Sequence, residues 1–412
     1  MASAVAGQDT EPHFLAARRA HARQLLETLE LPQFKGRPGW EFTDLSDLDL
    51  SAYQPGRDGH GLDVAEPLFA LEGAITETDQ LPDGVIVAPL AQAVRDHPRL
   101  IERHLGSLVT PDGDLFVARN EVSFETGAFV YVPAGVVLER PVLTTAIHAG
   151  DNSEFNRRTL IVLEEGAQAE IWEQQLSASG DGSSLLNTVI ELVVGDGARL
   201  RFVCGQQLSE RSWIFGTHRA DVARDGVLDW VALGFGSGGG RVRMETRLGG
   251  PGAEARVTGA YAAAGRQHID FDTTQEHAAP HTTSDLAFRG VLGGRATAVW
   301  KGNIIVDPGA QKTDAFQESR NLLVSKRAHA DAIPGLEIQA NDVRCTHAAA
   351  VAQVDQEQLF YLRSHGLPEG IAKRLVIEGF LAALVERFEQ GPVREALAGT
   401  LERRLSQILG GY

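Results

Sequence analysis

Cys345 and His347 stand one residue apart in Asn341-Asp342-Val343-Arg344-Cys345-Thr346-His347. A thiolate and an imidazole form a donor pair that suits iron, zinc or an iron–sulfur cluster. The chain has two cysteines in 412 residues, so one beside a histidine is a pointed use of a scarce residue. In extended backbone, positions i and i+2 share a face, which would present both groups together. Two ligands do not close a metal site, since a structural site wants about four. A second chain would have to supply the rest. On spacing alone, the competing reading is a half-buried cysteine beside an ordinary surface histidine.

A second polar cluster runs His268-x-Asp270-x-Asp272, then Glu276, His277 and His281. The alternation puts His268, Asp270 and Asp272 on one strand face, where they could bind a divalent metal. No fixed ligand spacing is met, so a polar outer strand and loop is the expected role. Gly234 to Gly239 matches G-x-G-x-x-G, but Arg241 to Thr246 then alternates like a strand. A dinucleotide site needs a helix there, so a flexible hairpin turn is expected. Gly-Lys never occurs, which removes any P-loop lysine and leaves ATP dependence to a partner. Cys204 lies in a strand-like run and reads as a buried small hydrophobe. Neither a G-x-S-x-G elbow nor an H-E-x-x-H helix is present.

The elements that must position these residues fall into three textures. Residues 1–9 are small and polar and are expected to be disordered. A helix is expected from Thr10, which can cap it, with Pro12 in its first turn and Pro32 ending it. Phe14, Leu15, Leu25, Leu26 and Leu29 can share its face. Residues 33–84 are broken by Pro and Gly, with Trp40, Phe42, Leu45 and Leu48 as anchors, and a second helix is expected over about 89–106. From about 110 to 340, short alternating runs of β-branched and aromatic residues are punctuated by glycine. Gly166, Gly197, Gly226 and Gly252 each open a strand whose alternate positions are apolar, at intervals of 31, 29 and 26 residues, and Gly294 opens a further copy. A period of this size implies stacked rungs, none able to bury its apolar face alone. A β-helix or related solenoid fits, with a β-sandwich as the competitor. After about 350 the pattern turns helical: Asp355 caps a short helix stopped by Gly366, Pro368 opens a second, and Gly391-Pro392 precedes a last one ending near Leu409.

Composition narrows the class. Hydrophobic content is 43% and charged content 23%, ordinary for a globular chain. A net charge of −17 argues against nucleic acid and anionic membranes, both of which need a basic face. No apolar run approaches the ~18 residues of a membrane span. No signal peptide is evident, and two cysteines do not make a disulfide framework, so a reducing cytoplasmic setting is expected.

The segment from Asn341, followed by Asp355-Gln356-Glu357-Gln358-Leu359-Phe360-Tyr361-Leu362-Arg363-Ser364-His365-Gly366, closely resembles the C-terminal signature of the SufB/SufD family of iron–sulfur cluster assembly proteins. The family pattern is Asp-Asp-Val-x-Cys-x-His, then Asp-x-x-Gln-Leu-Phe-Tyr-Leu-x-Ser-Arg-Gly. Asn341 replaces the first Asp and His365 the Arg. Ala348 stands where the SufD branch usually has Gly. The SufB branch typically carries Cys-Glu-His-Glu, and Thr346 and Ala348 at those Glu positions favour the SufD branch. The resemblance extends through Asn321 to Ser325 and Pro334 to Ile338, and more weakly to Trp40 to Leu45, so it covers most of the chain.

The resemblance implies a mainly β fold, a right-handed β-helix over 109–345, with a helical N-terminal cap region over 1–108 and a helical C-terminal region over 346–412. It implies a non-enzymatic scaffold that pairs with SufB through the C-terminal rungs and forms a homodimer when alone. It implies that SufC, an ABC-type ATPase, docks on about 350–412, with Phe360, Tyr361 and Phe380 near that surface. His347 would face a SufB cysteine on which a nascent cluster forms, with Cys345 beside it. The iron–sulfur cluster would be transient and none would be tightly held by the isolated chain. ATP-driven closing of the SufC pair would strain the SufB contact and expose the site. The rival readings are a carbohydrate-active β-helix enzyme, which needs paired carboxylates or a basic residue in a cleft, a self-sufficient metal-binding protein using the 268–281 histidines, and a SufB-like subunit that holds a cluster itself.

Overall fold

Successive strands alternate between two sheets, and each strand pairs in parallel with the strand two places on, one rung further along a parallel β-solenoid. The structure, a computed structural model, describes residues 11–33, 39–59, 62, 64, 67–71, 73–75, 81–178, 182–388 and 390–409. Among these, one sheet has ten strands and the other nine. Only two short strands at the N-terminal end, Arg57–Asp58 and Ile86–Pro89, pair antiparallel. Parallel pairing throughout the rest excludes the sandwich, whose sheets are antiparallel.

Period-two alternation turns each rung's apolar residues inward, where they stack in columns. One column runs Ile171, Phe202, Trp230, Val257, Leu286 along consecutive strands of the nine-stranded sheet. All five are buried in the same core. The turns that return each strand require a left-handed residue, and Gly197 supplies it at φ 64°. The register sets Val227 against Arg199, so the residue equivalent to Gly197 is Asp225, which adopts φ 54°. The repeat is therefore phased one residue earlier than Gly226 suggested. Gly294 precedes Thr297–Val306 in the other sheet, so it belongs to the alternate series of turns.

Helices cover the outer faces. The N-terminal helices α1 (His13–Leu26), α2 (Leu90–Asp96), α3 (Pro98–His104) and α4 (Leu115–Ser123) lie on the ten-stranded side, where Leu15, Leu90, Ile101 and Phe124 bury Leu160 and Val162. The C-terminal helices α5 (Gln356–Ser364), α6 (Glu369–Val385) and α7 (Pro392–Leu409) cover the other sheet, where Ala372, Ile377, Leu381 and Leu384 pack on Val231, Ala260 and Val291. Middle strands are thus buried on both faces, as in Ser184–Val194.

Several expectations needed correction. The helix expected over 89–106 is two helices, because Pro98 cannot continue the first and instead opens the second. Helix α4 occupies a stretch read as strand; Asp114 caps it by accepting from the backbone N–H groups of Phe116 and Val117. Helix α1 ends at Leu26, well before Pro32, and buries Leu15 and Ala22. The Thr10 cap lies outside the described residues. Leu45 and Leu48 are buried and Trp40 packs against them, but Phe42 is exposed. The last strand, Arg344–Gln353, runs through and beyond the boundary drawn at 345.

Candidate functional site at the open rung

Cys345 and His347 lie on the last strand of the nine-stranded sheet, one rung beyond Ala315 and Gln317 of Asp314–Leu323. Cys345 is half-buried, packed with Leu336, Ala340 and Val343 against Ile304, Val306 and Ala315. Burial pushes its thiol up from the ordinary range, and the nearby Asp314 carboxylate adds to the shift. Both effects favour the protonated thiol over the thiolate. Arg344 forms an ion pair with Asp314 across the same rung. His347 is exposed. The shared face expected of the pair is what the register delivers.

This rung ends both sheets. His329–Ile338 and Arg344–Gln353 are each hydrogen-bonded on one side only. At this rung Ile338 is 43% and Val351 42% exposed. Unpaired strand edges of this kind are templates for pairing with another chain. Among the described residues no group of three or more His, Cys, Asp or Glu side chains converges as a metal site. The pair can contribute a thiolate and an imidazole to a centre whose remaining ligands come from elsewhere.

The second cluster serves the fold. His268 and Asp270 share a face, as expected, and both meet the hydroxyl of Thr43, at 3.1 and 2.5 Å. Arg241 pairs with Asp272, and its guanidinium lies over the Trp40 ring. Burial pushes Asp270 up to about 6 and lowers His268. His277 is fully buried between Thr282 and Ser284, and burial lowers it to about 4. His281 sits in a turn at φ 60°. These side chains clamp the 40–48 segment and a turn rather than converge on one point. The Thr43 partnership was invisible in the sequence, since 225 or more positions separate its members. The 234–239 glycines form a turn from Val227–Gly234 into Gly239–Leu248, with no helix after it. Cys204 packs against the solenoid core, its thiol pushed up to about 12 by burial.

The helical tail offers a separate surface. Phe360 and Tyr361 on α5 are 74% and 63% exposed, and Ile371 and Leu375 on α6 are exposed beside them. Tyr361, Leu362, Leu375 and Val376 line a groove between the two helices. Phe380 differs: it packs inward against the sheet, with the Arg289 guanidinium 5.7 Å from its ring centroid.

A parallel solenoid with covered faces, one open rung bearing a Cys/His pair and an exposed helical tail has the build of a scaffold-type assembly protein. The comparisons with known proteins agree. Residues 146–380 match the family model described as the SUF system FeS cluster assembly SufBD core domain, and residues 70–143 match the SufBD protein N-terminal region. The iron–sulfur cluster assembly protein SufD of Bacillus subtilis is 31% identical, across 96% of this chain and 95% of that one. An iron–sulfur cluster assembly SufBD family protein of Mycobacterium tuberculosis is 32% identical across 76% of this chain and 78% of its own length. One from Synechocystis is 25% identical across 94% and 92%. The chain belongs to the SufBD family of iron–sulfur cluster assembly proteins, as a SufD homologue. Among the described residues no helix is long and apolar enough to cross a membrane.

Proposed function

We propose that this chain is a non-catalytic cytoplasmic scaffold subunit that pairs with SufB through its open rung and binds the SufC ATPase on its helical tail. The observation that carries this reading is the open rung itself. Two sheet edges with exposed Ile338 and Val351 sit beside a Cys/His donor pair that is incomplete alone. A second solenoid adding its own last rung would continue both sheets by ordinary parallel or antiparallel pairing. It would also bring the missing soft ligands to His347 and Cys345. The nascent cluster is cargo: it forms at the junction and leaves. The same edges would let two copies of this chain pair when SufB is absent. The groove between α5 and α6, with Phe360 and Tyr361 beside it, is the surface assigned to SufC, whose ATP cycle would strain the junction.

Two variants test the reading in cells that also make SufB and SufC. His347→Ala should leave the complex assembled and abolish cluster formation. Truncation after Gln353 should release SufC and spare the pairing with SufB. Normal cluster yield from the first variant, or SufC retained by the second, sinks the proposal.

A further inference from the structure

Inward-facing positions on Asp314–Leu323 are Ala315, Gln317, Ser319, Asn321 and Leu323, and the register sets Gln317 directly against His347 on the next strand. Neighbouring strands are about 4.8 Å apart, and partnered residues of a parallel ladder share a face. Gln317 is completely buried. Its Nε2 donates to the Gly302 carbonyl at 3.3 Å and to the Gly335 carbonyl at 3.0 Å, both on the opposite sheet. Two carbonyl acceptors fix which end of the amide is nitrogen, because the reverse orientation would set three oxygens against one another. The other end, Oε1, is therefore an acceptor, and it has no hydrogen-bond partner.

The local sequence makes room for this placement. A Cβ on Gly302 would stand 2.6 Å from Gln317 Oε1 and 2.2 Å from the Trp300 ring. Glycine at 302 is what allows the amide to approach the opposite strand. A buried acceptor without a partner is uncommon, because it loses its water and gains nothing in return. Paired with Gln317 in the ladder stands His347, an exposed histidine whose ring has no hydrogen bond among the described residues.

We infer that Gln317 is a positioning residue for His347: its Oε1 accepts the N–H of one ring nitrogen once a second chain covers the rung, leaving the other nitrogen free to bind iron. This rests on the scaffold reading above. Metal-ligating histidines are oriented by an acceptor on the nitrogen that does not bind the metal, which fixes the tautomer and raises ligand basicity. In the isolated chain water competes for the ring. Covering the rung removes that competitor and leaves Oε1 as the unpartnered acceptor on the residue paired with His347.

The test reads the tautomer rather than the cluster. This chain is labelled with 15N-histidine and purified alone and in complex with SufB and SufC, before iron is added. The His347 ring signals are assigned by difference against His347→Gln. Alone, the ring should show the tautomer mixture of a free imidazole. In the complex it should show one tautomer, lost in Gln317→Met and kept in Gln317→Glu, which retains an acceptor. Cluster yield should fall on the order of tenfold in the Met variant, in the range seen when such orienting partners are removed, and recover in the Glu variant. A wild-type complex whose His347 shows the same tautomer mixture as the isolated chain overturns the inference without any variant. So does a single tautomer that Gln317→Met leaves unchanged. If the Met variant does not fold, the comparison of the wild-type chain alone and in complex decides. Normal cluster yield from His347→Ala would remove the scaffold reading, while the tautomer result would still decide the role of Gln317.

Discussion

Arg158 and Glu191 meet at 2.7 Å with both side chains wholly out of solvent. The same guanidinium holds Glu121 of α4 at 2.5 Å, and Glu121 is also held by Arg18 of α1. Glu191 in turn accepts the backbone N–H groups of Gly106, Leu108 and Val109. One arginine therefore ties a sheet strand to a helix and to the segment between α3 and α4. Arg158→Met should lower stability by about 3–5 kcal/mol, because it leaves buried carboxylates short of their countercharge. Urea unfolding measures this, and hydrogen exchange should quicken over 106–124. A loss under about 1 kcal/mol would show the network to be idle.

Acid should weaken the fold through its buried histidines. His277 and His218 are each lowered to about 4 by burial. A depressed folded-state value means the contribution is present above the unfolded value of 6.5 and is lost as pH falls toward 4. Each should contribute a loss of about 2–3 kcal/mol by pH 4.5. Asp270 acts with the opposite sign: its carboxyl is raised to about 6, so its contribution is greatest in acid and lost as pH rises through 6. His277→Asn isolates one group. Denaturation curves at pH 7 and pH 5 should converge in that variant relative to wild type, and an unchanged difference would exclude His277 as a contributor.

Solenoid packing leaves no room at Gly259. A Cβ there would lie 2.1 Å from Phe288 Cε1 in the next rung. Gly259→Ala should cost about 1–3 kcal/mol by overpacking, with the midpoint of thermal unfolding reporting it. A neutral result would mean that the Phe288 ring has an alternative rotamer.

The exposed tail should tolerate charge and, on the proposed docking of SufC there, lose that binding. Tyr361→Asp with Leu375→Asp should change stability by about 0.5 kcal/mol or less per site, as expected of surface positions. Binding to SufC should weaken at least tenfold by calorimetry or co-purification. Retained affinity would move the docking surface elsewhere on the tail.

Much of this architecture could be read from the chain because its signals are local. Gly166, Gly197 and Gly252 mark turns by their backbone demands, and Asp355 and Pro368 mark helix starts. Local signals also explain the misses. Leu115 to Val117 is rich in β-formers, and only the Asp114 cap distinguishes it from a strand. The Cys345/His347 pair was legible because two residues suffice to state it. Gln317 was not, because its meaning lies in a register that joins positions 30 apart and in carbonyls from the opposite sheet. Phe380 had the same spacing as exposed neighbours, yet the orientation of α6 turns it toward Arg289.

The tail is tied mainly to the middle of the solenoid and, among the described residues, meets the end that it follows only through Leu322, Val324 and Val354. Arg387 bonds to Thr258 and Asp285, and Phe388 lies beneath Arg256, so the helices clamp strands Glu254–Ala263 and Thr283–Leu292. Beyond that clamp the nine-stranded sheet continues for two more strands, about 10 Å at ordinary strand spacing, and only the first still carries a side chain, Leu322, packed with the tail. Mechanically this is a cantilever. Torque applied at the tail enters the middle rungs, and the end bearing Cys345 and His347 sweeps through the larger arc.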